Sequence, residues 1–286
     1  MKLKTLAASL GAIGLLAVAA PSYAIPSLTW TSTNYGTQSV DPFGGLEWDS
    51  ASTAVSVGFD PTALTSVVTT TFWSTANGIK SPSGSTFNTP GITPPGNNPV
   101  GWEFTIYATI VEQATCVLTL NGGLPGAGNP CIQSNFFTVG GSYDIYFDPL
   151  ADANLVTGAG ITDGDVVISG SMSPGFAGTF TTTGGNDGSG IFRFRGIVDS
   201  TNPLYIAPGL DYSRATSTLQ FGDDTGGWTA PSSLPGAAGG TASLPQGYLA
   251  FQADGNQTFD IPEPGSLALL GVGLVGFVVG TRRKTA

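Results

Sequence analysis

The chain has 286 residues, 41% of them hydrophobic and only 10% charged, with 42 Gly, 20 Pro, no histidine and a formal net charge of −10. Without histidine, a Ser-His-Asp or Cys-His nucleophile system lacks its usual base. A chain this acidic also cannot supply the Lys/Arg footprint that nucleic acid demands.

Residues 1–24 read as a secretory signal peptide. Lys2 and Lys4 precede an apolar run from Leu6 to Ala20, and Ser22-Tyr23-Ala24 places small residues where a signal peptidase reads them. Cleavage after Ala24 makes Ile25 the first mature residue. The exported core is then 25–261, long enough for one large β domain or two small ones. It holds four cations, Lys80, Arg193, Arg195 and Arg214, against 18 acidic residues. Cations and neutral polysaccharide are compatible partners for such a surface, whereas anionic polymers need a bridging metal.

The core is rich in Gly, Thr, Ser, Asn and Pro, and its apolar residues alternate in short runs. From Trp102 to Glu112 the chain places Trp102, Phe104, Ile106, Ala108 and Ile110 on one face and Glu103, Thr105, Tyr107 and Thr109 on the other, a half-buried strand with Glu103 on the solvated side. Further strands are expected at 54–59, 66–73, 116–120, 135–139, 142–147, 165–171, 178–183, 191–198, 216–221 and 248–252. This pattern predicts an all-β domain, a β-sandwich or jelly roll. The segments 80–99 and 226–247, dense in Ser, Gly, Pro and Asn or Ala, read as loops.

Candidate chemistry is sparse. Lys80 with Ser81, Ser83 and Ser85 lies in a turn-rich loop, where solvated serines are the plainer reading than a Ser-Lys catalytic unit. Glu103 with Glu112, and Glu47 with Asp49, are the carboxylate pairs to consider for glycoside hydrolysis. Of the five tryptophans, Trp73 and Trp102 read as core, while Trp48 and Trp228, in polar or Gly-rich stretches, are the candidates for stacking on sugar rings. Cys116 and Cys131 bracket a loop rich in Gly, Asn and Pro; in an oxidising compartment they are expected to form a structural disulfide. A zinc site fits less well, since such sites usually take four ligands and histidine is missing.

Asp148, Asp152, Asn154, Asp163 and Asp165 bring hard oxygen donors into a turn-rich stretch, the chemistry Ca2+ prefers, though without the 12-residue EF-hand loop. No cofactor is otherwise required. The same stretch, Tyr146-Phe147-Asp148-Pro149, then Gly158-Ala159-Gly160 and the apolar strand from Val166, is similar to exported proteins associated with bacterial flocculation. That resemblance implies a role in holding cells within secreted polysaccharide.

At the C-terminus, Pro262-Glu263-Pro264 is followed by an apolar run from Gly265 and then Arg282-Arg283-Lys284. Residues 265–281 just reach the ~17-residue lower limit for a membrane-crossing helix, and the basic cluster would stay cytoplasmic. The segment 262–286 resembles the PEP-CTERM sorting signal of Gram-negative bacteria that make extracellular polysaccharide. The resemblance implies recognition and cutting near Pro262-Glu263-Pro264 by an exosortase, after an inner-membrane intermediate, with delivery to the cell surface or extracellular matrix. The expected function is a non-enzymatic surface or matrix protein acting in adhesion, biofilm or flocculation. A carbohydrate-binding module and a polysaccharide-degrading enzyme are the other readings.

Overall fold

The structure, a computed structural model, describes residues 25–92, 101–184, 187–222 and 228–260. The expected signal peptide, residues 1–24, and the segment 262–286 with its expected membrane-crossing helix at 265–281 lie outside this set. Among the described residues no helix is long and apolar enough to cross a membrane.

The chain enters through β1 (Ser27–Ser32) and β2 (Gly36–Val40), which pair with the later β11 (Ile206–Ala207) in a small sheet. The large antiparallel sheet begins with β3 (Gly45–Trp48), β4 (Ser52–Val57), β5 (Thr65–Lys80), β6 (Glu103–Thr119) and β7 (Cys131–Asp148). It continues with β8 (Asp165–Met172), β9 (Gly175–Gly184), β10 (Asp187–Thr201), β12 (Arg214–Gly222) and β15 (Leu249–Asp260). A short hairpin, β13 (Leu234–Pro235) and β14 (Thr241–Ala242), precedes β15.

The expected sandwich or jelly roll is replaced by a single sheet that closes on itself. β3 and β4 occupy one position between β5 and β15, β8 and β9 share another between β7 and β10, and β12 pairs β10 on one side and β15 on the other. The ten strands thus make a ring of eight staves, each bonded to its neighbours in chain order. The physical reason is strand length. The runs read separately at 135–139 and 142–147 are one strand, β7, bulged near Val139-Gly140 where its partner β6 shifts register. Strands of 15–18 residues such as β5, β7 and β10 each span two short partners, β5 taking β3 and β4, and β7 and β10 taking β8 and β9. A ring also leaves no open sheet edge, which removes the template for pairing with another chain.

Alternation sets the interior. On β6, Phe104, Ile106, Ala108 and Ile110 point inward as the sequence predicts and are at most 3% exposed. One end of the ring is filled by aromatics: Trp30 from β1 meets Trp102 with ring centroids 4.8 Å apart, and Phe104 lies 5.2 Å from Phe147. Leu28, Val40 and Ile206 of the small sheet join the same buried cluster. Each such side chain contributes about 1.5–3 kcal/mol when removed from water. Cys116 and Cys131 form the expected disulfide and close the loop at the turn end of the β6–β7 hairpin.

Candidate functional site

Outside the ring, the connection from β7 to β8 lies flat on the wall. Trp73, on the outward face of β5, donates from Nε1 to the Leu155 carbonyl at 3.0 Å, and Thr105 of β6 donates to Ile161 at 2.6 Å. Trp73, Ala153, Leu155 and Ile161 form a second, smaller apolar cluster under this loop. Glu103 belongs to the outward face as predicted, but it is not solvated: the loop covers it completely. The Asp152 and Ala153 N–H groups donate to its Oε1 at 3.2 and 2.9 Å, while Oε2 has no hydrogen-bond partner. Burial is the main force that pushes the Glu103 carboxyl up to about 8, the two N–H donors opposing it.

The covering loop gathers acid groups. Carboxylate oxygens of Asp148, Asp152 and Asp163 all lie within 4.8 Å of one another. Burial first, then the neighbouring Asp163 and Asp152 charges, raise Asp148 to about 6, and burial with the Asp163 charge raises Asp152. Gly160 makes the approach possible. It sits at φ +73°, and a Cβ there would stand 2.7 Å from Asp152 Oδ1. The other two predicted oxygen donors go elsewhere. Asn154 Oδ1 accepts the Val156 and Thr157 N–H groups in a local turn, and Asp165 Oδ2 accepts the Tyr205 hydroxyl at 2.6 Å. The remaining set of three hard carboxylates is of the kind that Ca2+ takes.

The predicted sugar platforms are not equivalent. Trp48 is 1% exposed, which removes it as a stacking surface. The alternation of β3 turns Leu46 and Trp48 inward and leaves Glu47 outward, where it pairs with Lys80 at 3.0 Å. Trp228 is half-buried. Glu103 and Glu112 do not form a carboxylate pair: they lie on opposite faces of β6, nine residues or roughly 30 Å apart along the strand. Asp49 Oδ1 accepts the Ala51 N–H in the turn between β3 and β4.

A feature missed from composition lies on the opposite outer wall. Arg193 and Arg195 project outward from β10, and Arg214 stands across from Ile197 at the start of β12. Three of the core's four cations therefore line one groove, and among the described residues none of the three has a salt bridge. Asp260 borders the groove opposite Arg214, beyond ion-pair distance. Tyr212 stands beside them, 85% exposed and held at φ +65°, a conformation that costs a non-glycine residue about 1 kcal/mol or more. The run Phe192-Arg193-Phe194-Arg195 already contained the signal, since alternation places both arginines on one face. The addition of Arg214 required the strand register.

Residues 260–284 match the family model of the PEP-CTERM protein-sorting motif. This implies an exported protein sorted to the bacterial cell surface and processed by an exosortase. No curated protein and no solved structure matches the chain.

Proposed function

We propose that this chain is a non-enzymatic surface protein that acts in exopolysaccharide-associated adhesion, and that its arginine groove holds acidic polysaccharide. The observation that carries the reading is the convergence of Arg193, Arg195 and Arg214, without ion-pair partners among the described residues, in a core otherwise dominated by acids. Guanidinium groups match carboxylate geometry with two parallel hydrogen bonds, and an exposed Tyr212 offers a flat face to a sugar ring. The net acidity that would call for a bridging metal is locally reversed where these three arginines converge, and the acidic surface repels a polyanion elsewhere, so contact is confined to the groove. The test is co-sedimentation with alginate and with neutral dextran at low salt. Alginate should bind and dextran should not. Joint Arg195→Gln and Arg214→Gln changes should weaken alginate binding by about tenfold; undiminished binding would remove the groove from the proposal.

The Asp148, Asp152 and Asp163 oxygens are part of the same proposal, as a Ca2+ site that braces the outer loop. A second reading, a carbohydrate-binding module with no adhesive role, rests on Tyr212 alone. Saturable oligosaccharide binding with no change in cell cohesion on deletion of the gene would favour it.

A further inference from the structure

Buried aromatics fill the Trp30 end of the ring, and elsewhere in it a cavity of about 400 Å³ opens. Its wall is made by Phe136, Phe180, Phe192, Phe221 and Phe251, one from each of five strands, with neighbouring ring centroids 4.9–6.0 Å apart. The rim includes Cys131 at the turn end of the disulfide-tied hairpin. Three polar features interrupt this lining, the first being Thr182, whose hydroxyl donates to the Ile132 carbonyl at 3.3 Å. The Ser56 and Thr70 hydroxyls bond to each other at 2.8 Å. Glu112 is 1% exposed, and its Oε1 has no hydrogen-bond partner.

A carboxyl in an apolar chamber is costly unless something compensates it. No cation of the described core serves: Lys80 pairs with Glu47, and the three arginines line the outer groove. Burial raises Glu112 to about 8, so near neutral pH it is an uncharged acid with a donor and an acceptor to offer. An eight-stave ring leaves interior room for one small ligand, and this volume lies within the range of small-molecule sites.

We propose that the cavity binds a small, mostly apolar, uncharged molecule with one hydroxyl or carbonyl group, its apolar body among the phenylalanines and its polar end on Glu112. A sugar would leave most of its hydroxyls unpaired against aromatic rings, and an anion would be buried with no countercharge. The inference is independent of the arginine groove, which faces outward and takes a polyanion.

The test uses the purified chain and the uncharged fluorophore N-phenyl-1-naphthylamine. Its fluorescence should rise saturably, and decanol should displace it at concentrations about tenfold below those needed for decanoate. Leu249→Trp, which fills the cavity from β15, should weaken fluorophore binding by about tenfold. Glu112→Leu should leave the fluorophore within about twofold while weakening decanol by about fivefold. Thermal melts of both variants establish that they fold. Absence of a saturable signal, or a signal unaffected in a folded Leu249→Trp variant, overturns the site. Unchanged decanol displacement in Glu112→Leu overturns the role of the carboxyl.

Discussion

Glu103 and Glu112 share one strand, and both are raised by burial from 4.5 to about 8, yet one lies beneath an outer loop and the other inside the ring. Between about pH 4.5 and pH 8 the folded chain retains protons that the unfolded chain has released. Stability is therefore greatest at the acid end and falls as pH rises, by up to about 1.4 kcal/mol per pH unit for each group. Thermal melts from pH 5 to pH 8 should show a falling midpoint, and Glu112→Gln should flatten part of that slope; a level profile in the parent would contradict both burials. The three clustered aspartates predict the response to metal. Ca2+ at about a hundred times its Kd would stabilise the chain by about 2.7 kcal/mol. Asp163→Asn should abolish most of the shift, and a melting curve indifferent to Ca2+ and to chelator would remove the ion from the proposal.

Among the elements, β6 and β7 carry the most, since they are long, adjacent and joined by the hairpin that the disulfide closes. Cross-linking residues 15 apart restricts the unfolded chain by about 3 kcal/mol in the chain-entropy model. Urea unfolding with and without reductant should show a loss of that order, and Cys116→Ser with Cys131→Ser should reproduce it without reductant. Gly141, just beyond the β7 bulge, tests the pairing itself. At φ +147°, a Cβ there would stand 2.2 Å from the Thr109 carbonyl oxygen of β6. Gly141→Ala forces the two strands apart and should cost about 2 kcal/mol or more, measured by the same unfolding. These features were partly legible: the alternation from Trp102 to Ile110 gave the inward face correctly, and the cysteine spacing gave the staple. Strand length was less legible, because Gly140-Gly141 reads locally as a turn but serves here within a continuous strand.

Across the whole molecule, destination rests on the sorting segment, while the proposed role rests on a cationic groove in an otherwise acidic ring. Removal of residues 262–286 should shift the protein from the cell surface to the culture medium, followed by cell fractionation and immunoblotting; unchanged surface retention would contradict exosortase-dependent sorting. Alginate capture through the groove should fade between 50 and 300 mM NaCl, because exposed charges are screened over a Debye length that shrinks to under about 10 Å in this range. The sorting motif, the all-β class and the cysteine pair were readable in the chain itself, because each depends on neighbours close in sequence. Whether Glu103 is wet or covered, whether Trp48 faces a sugar or the core, and whether Arg214 joins Arg193 and Arg195 all depend on which strands pair, and in what register. Closure of the ring is likewise non-local: β15 must return to β3 and β4 from some 200 residues away. Only that return encloses the phenylalanine chamber and puts Glu112 inside it.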